Sequence, residues 1–352
     1  MLVVTNRARL AERLTGDFTT HLLRSLQDRG VTVVDDMPEQ FDANAIRSRI
    51  TPHLERAMHK GVLILGGPDV VPAQRSNCLP DRLRRLIDVT NDPDQFLVWS
   101  DSPYGDIEGD SVQELPVSRL PDMGSPSFLV AALERTVTAP GAALRGIRNL
   151  NRPFADHMAE TEKPLLTSGR VTVETLHPED YAAPNLYFML HGDDNDGTCY
   201  WGETDEDYPE AVRIPQLPTR IDGVVFAGCC WGALVVRETA RRLAQNDRPT
   251  PRAASASLAL TCLTRGALAF VGCTGAHYSP PDAPYNYFGG PLHRSFWTNL
   301  RAGKSPARSL FDARIEYLRA LPHERPDGIR DNMFIAMELK TFEQFTCLGR
   351  GF

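Results

Sequence analysis

A chain of 352 residues with 42% hydrophobic and 24% charged residues has the composition of a packed globular protein larger than one average domain. Its formal charge of −7 argues against nucleic acid as the main partner, because neutralising phosphates requires a basic face. No apolar run approaches the roughly 20 residues that span a bilayer, and the start, MLVVTNRARLAERL, has no basic segment ahead of a long apolar stretch. No membrane partner and a cytoplasmic location are therefore expected. Of 38 basic residues only Lys60, Lys163, Lys304 and Lys340 are lysine, a bias read as that of a GC-rich, bacterial genome. Seven cysteines, an odd number with Cys229 and Cys230 adjacent, do not suggest a disulfide framework.

In chain order, Leu2–Thr5 reads as a buried strand. Arg9–Arg29 reads as an amphipathic helix, with Leu10, Leu14, Phe18, Leu22 and Leu26 at four-residue steps and Gly30 as its stop. A strand at Val31–Val34, a helix at Asp42–His59, a strand at Gly61–Leu65 and a fourth strand at Phe96–Ser100 follow. Ser125–Glu160 reads mostly as helix, broken at Pro140-Gly141. The second half repeats the alternation, with strands at Val171–Thr175, Leu186–Leu190, Gly223–Gly228 and Ala267–Gly272. Helices are expected at Ala233–Ala244, Ser255–Arg265, Leu292–Arg301 and Ala307–Arg319. Strands separated by helices predict an α/β fold with mostly parallel sheet and two side-by-side α/β subdomains.

Several familiar signatures are absent. There is no HExxH or GxSxG, Gly303-Lys304-Ser305 lacks the first glycine of a phosphate loop, and no pair of Cys-x-x-Cys units exists. Two strand-end motifs remain. Leu186–Leu190 delivers His191 and Gly192 to its carboxyl end, and Gly223–Gly228 delivers Cys229 and Cys230. Functional groups of open α/β sheets gather at such ends. A thiolate is a nucleophile and an imidazole can carry the leaving group's proton. A glycine after the histidine leaves a backbone N–H able to face an oxyanion, together with that of the nucleophile. Taken singly, a cysteine ending a buried strand is a small core hydrophobe and His-Gly a turn.

The order His-Gly at one strand end and Cys-x-x-Gly at the next resembles the caspase–legumain–separase–gingipain group of cysteine peptidases, and within it the gingipain branch. Val62–Pro72, Trp99–Gly109 and Leu115–Pro121 are similar to that branch's non-catalytic subdomain. Gly266–Tyr278 is similar to its next strand and pocket loop, and Gly289–Tyr317 to its closing helices. The resemblance implies a three-layer αβα caspase-like fold, with a non-catalytic subdomain over 1–124, a helical connector over 125–160 and a catalytic subdomain over 161–352. It implies His191 as general acid/base, Cys229 as nucleophile, the backbone N–H groups of Gly192 and Cys229 as oxyanion donors, and Tyr278 as a pocket aromatic. Cys230, with the shorter caspase spacing to Gly232, is the alternative nucleophile. The acid that orients the histidine in gingipains has no counterpart between Arg119 and Val171.

The loop after the histidine, Asp193-Asp194-Asn195-Asp196 and then Glu203–Asp207, is rich in carboxylates. It is either a solvated acidic loop, a calcium-holding loop, or, through Asp193 or Asp194, a pocket for a basic side chain preceding the scissile bond. The expectation is a cysteine endopeptidase acting on protein or peptide substrates without a catalytic cofactor or metal. It would be restrained in the cell by an activating protein, effector or self-cleavage, as in defence or programmed-death systems. The competing readings are an inactive caspase-like scaffold that binds a partner peptide, and a thiol–metal site built from His191, Cys199, Cys229 and Cys230.

Overall fold

The computed structural model describes residues 1–39, 41–54, 60–135, 143–159, 163–244, 246–321 and 331–352. In chain order its strands are β1 (Leu2–Val4), β2 (Thr32–Val34), β3 (Val62–Leu65), β4 (Gln74–Asn77), β5 (Leu97–Ser100), β6 (Val117–Leu120) and β7 (Leu144–Arg148). They continue with β8 (Leu166–Thr167), β9 (Asn185–Met189), β10 (Cys199–Trp201), β11 (Glu210–Arg213), β12 (Val224–Ala227), β13 (Ala269–Cys273) and β14 (Phe345–Gly349). Ten of them form one sheet in the order β2-β1-β3-β6-β14-β13-β12-β9-β7-β8. Every neighbouring pair is parallel except β13 and β14. Helices cover both faces, so the fold is a three-layer α/β arrangement around the mostly parallel sheet that the alternation predicts. The central strands β3, β9 and β12 are buried at every position and, apart from Asn185, apolar, because a parallel sheet covered on both faces has no wet side.

The two halves lie side by side within that single sheet. One core surrounds β1, β3 and β6. In the other half, Tyr187, Met189, Val224 and Phe226 face a core with the helices Gly290–Arg301 and Pro306–Arg319. Leu186, Phe188, Leu190, Val225, Ala227 and Cys229 face the opposite core, with the helix Leu258–Thr264. The last strand, β14, closes the seam between β6 and β13. Arg119 of β6 is buried there, paired with Asp101 and donating to the carbonyls of Gly66 and Val71.

Several elements differ from the sequence expectation. Arg9–Arg29 is two helices, Arg7–Arg13 and Gly16–Asp28, because the Thr15 side chain caps the second by accepting from the Phe18 N–H. Phe96–Ser100 is not the fourth strand of the main sheet; β5 forms a separate antiparallel pair with β4, and β6 takes that place. The expected 125–160 connector contributes a strand, β7, which pairs with β9 in the main sheet. Val171–Thr175 is a turn beside the short β8. Ala233–Ala244 is not helical: Val235 and Val236 run extended, with Val236 bridged to Pro251, and Leu234, Val236 and Ala240 pack with Trp99. The expected break at Pro140-Gly141 and the end of the Asp42–His59 helix fall outside the described residues. Among the described residues no helix is long and apolar enough to cross a membrane.

Candidate active site

β9 and β12 are adjacent and parallel, with Ala227 opposite Phe188. Counting on from that register brings Cys229 level with Leu190 and Cys230 level with His191. Side chains alternate faces along a strand, so Cys230 shares the face of His191, and Cys229 the opposite one. The backbones are in close contact, since a Cβ on Gly192 would lie 2.0 Å from the Cys230 carbonyl oxygen. Only glycine can follow the histidine there.

The two thiols then part company. Cys229 is fully buried among Phe188, Leu190 and Ala227, its Sγ 3.7 Å from the Phe188 carbonyl oxygen. Burial pushes its thiol well above the ordinary cysteine range. Cys230 is half-buried, at the corner of a tight turn in which the Gly232 N–H donates to the Cys229 carbonyl. The third residue of that turn, Trp231, has a φ of +51°, a left-handed conformation that is costly for a bulky residue. It is held by its own N–H donating to the Gly275 carbonyl and by its indole Nε1 donating to Asp94 at 2.9 Å. The Cys230 sulfur accepts the His277 N–H at 3.3 Å. Neither the Gly192 nor the Cys230 backbone N–H donates to another described residue. The geometry thus makes Cys229, the preferred candidate of the spacing argument, a core residue, and gives Cys230 both the more accessible thiol and an unused backbone N–H.

His191 is surrounded by residues that the motifs did not single out. Arg152 Nη2 lies 3.4 Å from Nδ1, and Glu203 Oε2 lies 3.5 Å from Nε2, long for a hydrogen bond. The exposed Tyr208 ring stands edge-on to the imidazole at 4.9 Å. The hydrogen bonds of the imidazole do not include either sulfur. Burial and then the Arg152 charge lower the His191 pKa, while Glu203 works against them. Glu203 is thus the acid beside the histidine, supplied by the chain after β10 and not from the 119–171 region. Its own N–H is fixed by the Ser168 hydroxyl at 3.1 Å. Glu203→Gln is expected to lower the His191 pKa further, read as a shift of the imidazole titration by NMR; an unchanged or raised value would contradict the assignment.

The acidic loop is committed to its own conformation. One Asp193 oxygen accepts the N–H groups of Asn195 and Asp196, Asp194 pairs with Arg242 at 2.8 Å, and Asp196 accepts from Thr198. Tyr278 is next to the site through His277, but its hydroxyl points away, donating to Asp92 at 2.6 Å. Cys199, its side chain 3.4 Å from the Tyr200 carbonyl oxygen, does not gather with His191, Cys229 and Cys230 into a metal-sized cluster. Among the described residues the one such grouping is Asp106, Asp110 and Glu114, whose Asp106 carboxylate already receives Arg47 and two backbone N–H groups.

Behind the site two further histidines stack at 5.1 Å, the buried His277 and His293, with His293 Nδ1 2.8 Å from the Tyr187 hydroxyl. Burial lowers both, His293 to about 3. Between that value and the ordinary histidine pKa near 6.5, the unfolded chain binds a proton that the folded chain does not. Stability is therefore fully present above about pH 6.5 and falls with acidification, by about 1.4 kcal/mol per pH unit for this one group. Denaturant titrations at several pH values should show wild type losing stability relative to His293→Gln as pH drops; a gap independent of pH would refute this.

Compared with protein-family models and with curated protein sequences, the chain finds no match.

Proposed function

We propose that this chain is a cysteine endopeptidase of the caspase–gingipain type, with Cys230 as nucleophile and His191 as general acid/base. One observation carries the reading: neighbouring parallel strands bring His191-Gly192 and the half-buried Cys230 together at their carboxyl ends, with Gly192 packed on the Cys230 backbone. His191 takes the proton of the Cys230 thiol, the resulting thiolate attacks the peptide carbonyl, and the oxyanion faces the otherwise unused N–H groups of Gly192 and Cys230. Collapse breaks the C–N bond as His191 gives its proton to the leaving amine, forming a thioester. Water, deprotonated by His191, then releases the acid and restores the thiol.

In the resting arrangement the imidazole contacts Arg152 and Glu203 and not the thiol. Catalysis then requires the ring or the 229–232 turn to shift, a step through which an activating partner or effector can act inside a bacterial cell, in a defence or death role. The same contact favours, as the second reading, an inactive caspase-like scaffold that holds a partner peptide. Irreversible labelling with peptide acyloxymethyl ketones, with and without cell extract, tests the choice. Modification mapped to Cys230 and lost in His191→Ala supports the peptidase; no labelling under either condition leaves the scaffold.

A further inference from the structure

We propose that the seam between the two halves of the sheet carries a binding site for a small amphipathic anion, an apolar body ending in a carboxylate, of the size of a medium-chain fatty acid. A cleft of about 490 Å³ opens between the helix Pro126–Glu134 and the helix Leu258–Thr264, a volume within the range of small-molecule sites. Phe128 and Ala132 line it from the first helix, Leu263 and Leu268 from the second helix and the chain beyond it, and Leu120 of β6 and Gly349 of β14 line it at the seam. The Leu268 N–H donates to the Gly223 carbonyl at 2.8 Å, ahead of β12. Cys230 follows the other end of that strand, so the cleft is separate from the candidate active site. The proposal does not rest on the peptidase reading.

The charged residues lining the cleft are both arginines, Arg135 and Arg350. Arg135 Nη1 donates to the Gly266 carbonyl and Arg350 Nη1 to the Arg135 carbonyl, which holds both half-buried guanidinium groups at the cleft. Neither meets a carboxylate among the described residues, and their remaining N–H groups have no partner there. Burial and the charge of Arg29 lower the Arg350 pKa, so a third cation and no anion acts on it. In a chain with a net charge of −7, this one cleft combines an apolar lining with uncompensated positive charge. Partly desolvated like charges repel until an anion joins them. A carboxylate takes two parallel N–H bonds from a guanidinium, while its apolar tail covers Phe128, Leu263 and Leu268. A neutral tail would leave the guanidinium groups unanswered, and a bare anion would leave the apolar lining in water.

Equilibrium dialysis with radiolabelled decanoate, below its micelle-forming concentration, tests both halves of that match. Wild type should bind decanoate saturably, at about one equivalent per chain. Decanol, decylammonium and acetate should each compete at least about tenfold less well than unlabelled decanoate. Arg135→Met combined with Arg350→Met should lose at least about tenfold in affinity, and the double lysine variant less. Ala131→Trp, at an exposed position lining the cleft, should block binding by filling it without disturbing the core. Circular dichroism confirms that each variant is folded; should the double methionine variant not fold, Ala131→Trp and the competitors decide. Decanoate should also raise the melting temperature of wild type and not of Ala131→Trp, because it ties together elements of both halves. No saturable binding to wild type, equal competition by decanol, or binding that survives in Ala131→Trp overturns the proposal. None of these readouts depends on peptide hydrolysis, so its failure leaves the peptidase reading where it stands.

Discussion

Replacing Cys230 with alanine is expected to abolish labelling and peptide hydrolysis, a loss of at least about a thousandfold, whereas Cys229→Ala should retain the chemistry. The contrast follows from position in the turn. Cys229 is the last residue whose side chain still points into the core with Phe188 and Leu190, and its thiol is held in the protonated form by burial. Cys230 stands at the corner, on the His191 face. The cost of Cys229→Ala is one of packing: removal of a buried sulfur should take about 1–2 kcal/mol and lower the melting temperature by a few degrees. Rates with a peptide substrate and thermal melts on the two variants separate the outcomes. Lost activity in Cys229→Ala with an unchanged melt, and retained activity in Cys230→Ala, would return the nucleophile to Cys229.

The choice between the two cysteines shows what the amino-acid order can and cannot express. Leu186–Leu190 and Gly223–Gly228 were legible as buried strands because they are apolar runs bounded by turn residues, and the histidine and cysteines at their ends were legible as a candidate site. The same uniform burial hides which face each residue takes, since a strand covered on both sides carries no alternation to read. Once the register pairs Ala227 with Phe188, parity assigns Cys230 to the face of His191. The positive φ of Trp231 is equally hidden, for nothing in Cys-Cys-Trp-Gly announces a left-handed tryptophan; the Asp94 and Gly275 partners that hold it are 137 and 44 positions away. Arg152 escaped notice because the span around it reads as helix, although β7 ends just before it. Glu203 was visible only as one acid in an acidic run. Its neighbour on the histidine depends on the bridge between His191 and Trp201, a tertiary pairing without a local signal.

Removing the charge of Lys340 should destabilise the protein more than any substitution of the site itself. Lys340 is one of only four lysines and is fully buried, its Nζ 2.5 Å from Asp92 Oδ1 and 2.7 Å from Asp94 Oδ2. The aspartates use their other bonds just ahead of β5 and on the segments that flank the candidate site. Asp92 accepts from Tyr278 and from the Phe96 N–H, and Asp94 from the Trp231 indole and the Ala276 N–H. Lys340→Met leaves two buried carboxylates facing each other without a counter-ion, a loss of about 3–5 kcal/mol, or roughly 4–7 °C in melting temperature for a chain of this size. The triple variant Lys340→Met, Asp92→Asn, Asp94→Asn removes the unpaired charges together and should recover part of that loss, because the penalty lies in the uncompensated ions and not in the missing lysine. A triple variant as unstable as Lys340→Met, or less stable, would show that packing and not charge sets the cost. The two aspartates grip both Trp231 and the Ala276–Tyr278 segment, whose His277 N–H reaches the Cys230 sulfur. Lys340→Met should therefore also slow labelling of Cys230 at temperatures well below its own melt, as the strained turn relaxes and the thiol loses its fixed place opposite His191.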